Sequence, residues 1–117
     1  MYNGKKVLII EDETDLCLLL KDYFVRKNYL VSVAHTLKEG KVFLNTILPD
    51  ILFLDNNLPD GIGWAMAPNI AADYPSTHIV LISGFHPTVP EMPANAKFQT
   101  IEKPISMAYL NKQFPEL

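Results

Sequence analysis

The sequence predicts an α/β fold, a doubly wound parallel sheet, on three observations. Four largely apolar runs have the length of strands: Val7–Ile10, Ile51–Leu54, Ile79–Ile82 and Phe98–Ile101. Strands buried on both faces of a parallel sheet read as continuous apolar runs of this kind. Helical stretches separate most of them, and each run ends on a short polar group: Glu11-Asp12, Asp55, Ser83-Gly84 and Lys103-Pro104. In open α/β sheets ligands bind outside the carboxyl ends of the strands, so these four groups are expected to converge.

The elements follow in order. Residues 5–11 form the first strand, and Asp12 or Thr14 caps a helix over 15–27 whose buried face carries Leu16, Leu19, Leu20, Tyr23 and Phe24. Cys17 lies beside that stripe as a small, half-buried side chain. Leu30–Ala34 is a shorter strand suited to an edge. Helix two runs from Leu37 to about Leu48, with Leu37, Leu44 and Ile47 inward and Gly40 a weak spot. Pro49-Asp50 punctuates the start of strand three. Helix three lies within 62–73, where Pro68 demands a kink or a late start, since a mid-helix proline costs about 3 kcal/mol. Strand four is His78–Ile82 and strand five Phe98–Glu102. Ser106 caps a short last helix ending near Phe114. Between the last two strands, Pro87, Pro90 and Pro93 disfavour a regular helix over Phe85–Lys97, leaving a mobile loop or a single turn.

A chain of 117 residues is one domain on the length prior. A net charge of -3 without a basic cluster argues against direct nucleic-acid binding. The single cysteine allows no internal disulfide and fits a reducing compartment. No apolar run approaches a membrane span, and the N-terminus lacks signal-peptide features, so a cytoplasmic location is expected.

Three carboxylates, a hydroxyl and an ammonium at one point suggest metal-assisted phosphoryl chemistry. Carboxylates about 4 Å apart repel by about 4 kcal/mol at an effective dielectric of 20. A divalent cation relieves that repulsion, and oxygen-only ligands suit Mg²⁺. A lysine ending an apolar strand supplies fixed positive charge for phosphoryl oxygens. Glu13 and Asp15 read as a solvated acidic loop. His35, His78 and His86 are scattered and read as surface residues, although the positions of His35 and His86 allow them to lie at the site's end of the sheet. Trp64 reads as packing, and Pro59 and Gly61 as turn chemistry.

In combination these groups resemble a response-regulator receiver domain, the phospho-acceptor module of two-component signalling, from Lys5 to about Phe114. The resemblance rests on the acidic pair after strand one, on Asp55 followed by Leu58-Pro59-Asp60-Gly61, on Ser83-Gly84 after strand four and on Lys103-Pro104 after strand five. It implies a flavodoxin-like five-stranded sheet of order 2-1-3-4-5 and one receiver domain over 1–117. Asp12 and Asp55 would ligate Mg²⁺ with the backbone carbonyl of Asn57, and Glu11 would act directly or through water. Asp55 would be the nucleophile, taking a phosphoryl group from a phosphohistidine of a sensor histidine kinase or phosphotransfer protein. Ser83 would hydrogen-bond a phosphoryl oxygen, Lys103 would stabilise its charge, and the Lys103-Pro104 bond would be cis. Such a domain is a signalling switch acting on a downstream protein target, and it catalyses only its own phosphorylation and dephosphorylation.

Two features depart from the pattern. The family's full fourth helix has no counterpart in 85–97, giving a shortened or irregular one. Thr100 stands where an aromatic switch residue is expected, three positions before Lys103. Two other readings remain: a phosphorylation-independent, receiver-like interaction module, and a haloacid-dehalogenase-type phosphatase. The latter needs a general-acid Asp where this chain has Asn57.

Overall fold

Side chains along a strand point alternately to opposite faces, so a strand buried on both sides must carry two apolar sets. The computed structural model, which describes residues 3–85 and 87–115, shows that partition. Strands β1 (Lys6–Ile10), β2 (Leu30–Ala34), β3 (Ile51–Asp55), β4 (His78–Ser83) and β5 (Phe98–Glu102) form one parallel sheet in the order β2-β1-β3-β4-β5, as expected. Helices α1 (Thr14–Arg26), α2 (Leu37–Ile47), α3 (Ala67–Asp73) and α4 (Met107–Gln113) cover it. Val7, Ile9, Phe53, Val80 and Ile82 share one core with Leu16, Leu20 and Phe24 of α1 and Leu110 of α4. Leu8, Ile10, Leu52, Leu54 and Leu81 share the other with Leu37 and Leu44 of α2 and Ile70 of α3. The edge strand β2 is only partly buried.

Helix boundaries follow the local chemistry, with three corrections. Glu13, rather than Asp12 or Thr14, caps α1, and its side chain makes no capping bond. Its amide instead donates to Glu11 Oε2 at 3.0 Å. Cys17 is in the core, not half-buried, and its thiol donates to the Glu11 carbonyl at 3.2 Å. Gly40 is no weak spot: a Cβ there would stand 2.5 Å from Ile10 Cδ1, so glycine lets α2 press onto β1. Thr36 caps α2, accepting from the Glu39 amide at 3.1 Å.

Pro68 imposes the late start. A 3₁₀ turn over Gly63–Met66 precedes α3, and the proline falls in the first helical turn, where a missing amide costs nothing. Ser106 caps α4 by accepting from the Tyr109 amide. The described residues between β4 and β5 contain no helix, only a turn closed by the Ala96 amide on the Pro93 carbonyl at 3.0 Å. Met92 and Ala96 anchor this segment on the second core. His86 lies outside the described residues. Among them, no helix is long and apolar enough to cross a membrane.

Candidate functional site

Strand register brings the polar groups to one level. Ile10 pairs with Leu54, Asp55 with Ile82, and Ser83 with Glu102. The ladder runs one bond further at two places, from the Glu11 amide to the Ala34 carbonyl at 3.0 Å and from the Lys103 amide to the Ser83 carbonyl at 2.8 Å. Glu11, Asp55, Ser83 and Lys103 therefore emerge together at the carboxyl edge of the sheet. Glu11 and Asp55 are almost wholly buried, at 0% and 2% exposure, while Asp12 is open to solvent.

Carboxylate oxygens of Glu11, Asp12 and Asp55 all lie within 4.8 Å of one another. Each like-charged pair at that separation costs about 3–4 kcal/mol at an effective dielectric of 20. The Lys103 ammonium sits 3.0 Å from Glu11 Oε1 and 3.2 Å from Asp55 Oδ1, and one positive charge cannot balance three negative ones. Burial pushes the Glu11 carboxyl up to about 7, outweighing the pull of Lys103. Burial also raises Asp55 above the ordinary carboxyl range, against the same lysine. Burial alone would lower the Lys103 ammonium, but its hydrogen bond to Glu13 and the nearby carboxylates of Glu11 and Asp55 carry it above its usual value.

The donor set fits a hard divalent cation. All three candidate ligands are carboxylates, and Asp12 keeps the site open for water. Glu11 Oε1 is a buried oxygen that lies at ion-pair distance from Lys103 yet receives no aligned hydrogen bond. Buried carboxylate oxygens are ordinarily satisfied, so this one has coordination capacity to spare.

Ser83 and Asn57 stand beside this group rather than in it. The Ser83 hydroxyl is bonded to the backbone of Phe85. Asn57, its side chain exposed, opens a short antiparallel hairpin in which Asn57–Leu58 pairs with Gly61–Ile62. The Lys103-Pro104 bond is cis, as the resemblance implied.

Five further residues shape the site. Glu13 is no solvated bystander, because its Oε1 lies 2.9 Å from Lys103 Nζ. Asp60 ties the hairpin to α2, its carboxylate accepting from the Leu37 and Lys38 amides at 2.8 and 3.0 Å, bonds that hold its carboxyl below the usual range. Gly63 donates its amide to the Asn56 carbonyl at 2.8 Å, and a Cβ there would collide with the Asp55 carbonyl oxygen. Buried Trp64 donates to the Leu54 carbonyl at 3.1 Å, packing behind the strand that carries Asp55. His35 does reach the site, with Nδ1 2.9 Å from the Glu11 carbonyl, whereas His78 begins β4 at the opposite edge and bonds Gln99 at 2.8 Å.

The family model of the response regulator receiver domain matches residues 7–114. The chain belongs to this family. Solved receiver domains share the fold. One is a response regulator receiver domain protein (CheY-like) from Methanospirillum hungatei JF-1, at 22% identity, 96% coverage of this chain, 91% of that one and a TM-score of 0.80. The signal receiver domain of a putative Luxo repressor protein from Vibrio parahaemolyticus gives 26%, 95%, 87% and 0.76. A response regulator protein from Burkholderia pseudomallei, solved with a phosphorylated aspartic acid, a calcium ion and citrate, gives 18%, 92%, 64% and 0.76. No curated protein sequence matches the chain. As a receiver domain it has the five-stranded sheet of its relatives with an irregular crossover between β4 and β5.

Proposed function

We propose that this receiver domain accepts a phosphoryl group on Asp55 from a phosphohistidine of a sensor histidine kinase or phosphotransfer protein, with Mg²⁺ held by Glu11, Asp12, Asp55 and the Asn57 carbonyl. The carrying observation is Lys103 Nζ at 3.2 Å from the buried Asp55 carboxylate, beside two further carboxylates. The phosphorylated aspartate and calcium ion of the Burkholderia pseudomallei relative support the same reading. Mg²⁺ would neutralise the carboxylates and the incoming phosphoryl charge. An Asp55 oxygen attacks phosphorus as the phosphorus–nitrogen bond breaks and the imidazole leaves, giving an acyl phosphate. Lys103 pairs with a phosphoryl oxygen. A cleft of about 480 Å³, lined by Glu13, Leu16, Leu19, Gly84, Lys103 and Ile105, opens beside that ammonium and suits entry of the donor.

Ser83 supplies the switch. A hydroxyl has one proton, so donating it to a phosphoryl oxygen releases the Phe85 carbonyl and displaces the segment after Gly84. Thr100 has no ring to turn inward, so the segment itself carries the signal to a downstream protein target. Coupling of about 1–3 kcal/mol suffices. The domain is a cytoplasmic signalling switch, not a metabolic enzyme, and binds no nucleic acid directly.

Incubation with a small-molecule phosphodonor, followed by intact mass with and without Mg²⁺, tests the proposal. A phosphorylated species that requires Mg²⁺ and Asp55 is the expected result. Its absence under both conditions overturns the reading.

A further inference from the structure

Three carboxylates share the one ammonium of Lys103: Glu13 at 2.9 Å, Glu11 at 3.0 Å and Asp55 at 3.2 Å. The Glu13 contact is an aligned hydrogen bond, whereas Glu11 Oε1 is held at ion-pair distance without one. The contacts differ in surroundings. The side chains of Glu11 and Asp55 are 0% and 3% exposed, whereas that of Glu13 is 59% exposed. Buried pairs are held firmly, while an exposed one is screened by water and salt.

Resting on the phospho-acceptor reading, we propose that Glu13 is a positioning residue: it holds the Lys103 ammonium at the mouth of the site and releases it when a phosphoryl group arrives. Its backbone is fixed by the bond from its amide to Glu11 Oε2, so only its side chain need move. Glu13 thereby competes with the phosphoryl group for Lys103 and sets how tightly an anion is held. Sequence alone assigned it no role, because its partner is 90 positions away.

The test is a double-mutant cycle on beryllofluoride affinity at saturating Mg²⁺, with melting curves confirming that each variant folds. Glu13→Gln should tighten beryllofluoride binding about two- to five-fold, the range an exposed ion pair commands. In a Lys103→Met background the same change should have no effect, since the ammonium that Glu13 engages is gone. A gain that persists without Lys103 would show Glu13 acting through its charge alone and overturn the proposal. So would an unchanged or weakened affinity in the parent background. If the parent itself binds no beryllofluoride, the phospho-acceptor reading falls, and the role of Glu13 with it.

Discussion

The Ser83 hydroxyl donates its single proton to the Phe85 carbonyl at 2.8 Å and accepts the Phe85 amide at 3.1 Å. One short side chain thus closes the turn that leads from β4 into the crossover, whose described residues form no helix. Amide exchange should rise or fall across residues 85–97 when beryllofluoride and Mg²⁺ bind, and Ser83→Ala should remove most of that difference. Identical exchange in the free and bound parent would defeat this route of switching.

Asp55→Asn should abolish phosphorylation and leave the fold intact, since the amide is nearly isosteric and removes one charge from a repulsive cluster. Metal-free stability should rise by roughly 1 kcal/mol, within the usual range of single substitutions. Intact mass and urea melts check both halves. A phosphorylated Asn variant would remove Asp55 from the role of nucleophile.

The raised Glu11 carboxyl makes metal-free stability depend on pH. The folded state keeps a proton on Glu11 up to about 7, while the unfolded chain releases it near 4.5. Between those values the folded state binds more protons, so stability falls as pH rises, by up to about 3 kcal/mol. Denaturant melts in chelator should show this decline in the parent and a flatter profile in Glu11→Gln. On the proposed binding of Mg²⁺ to the deprotonated cluster, the ion should stabilise more at pH 8 than at pH 5, and Asp12→Ala should lose most of that gain. Equal slopes in parent and variant would contradict the burial assigned to Glu11.

Gly63→Ala should destabilise the domain by more than about 2 kcal/mol, because the added Cβ meets the backbone carbonyl of Asp55, which cannot swing aside as a side chain can. Thermal melts check it. A neutral substitution would mean that the hairpin after Asp55 relaxes freely.

Legibility in the sequence followed the range of the forces involved. The strands and the proline-driven late start of α3 come from apolar periodicity and backbone chemistry, both local signals, whereas the strand order came only with the resemblance to the receiver family. Glu11, Asp12, Asp55 and Lys103 were legible because each ends a strand, and parallel register alone brings strand ends together. Glu13 and Asp60 were not, since their partners Lys103 and Leu37 are set by tertiary packing; for His35 the sequence allowed the right end of the sheet but not its contact with the Glu11 carbonyl. The burial of Cys17 and the fit of Gly40 against Ile10 likewise depend on how closely helix and sheet approach.

The level placement of the polar groups also sets which genetic changes the domain can absorb. Exchanging one apolar residue for another inside β3 leaves Asp55 where it is. Deleting a single residue from Ile51–Leu54 would instead turn its carboxylate to the other face of the sheet, because side-chain direction reverses with every position. Drift in this chain is therefore expected to run through substitutions in the strands, with gains and losses of length falling in loops such as the segment between β4 and β5, before the Ile79 amide picks up the ladder at the Lys97 carbonyl.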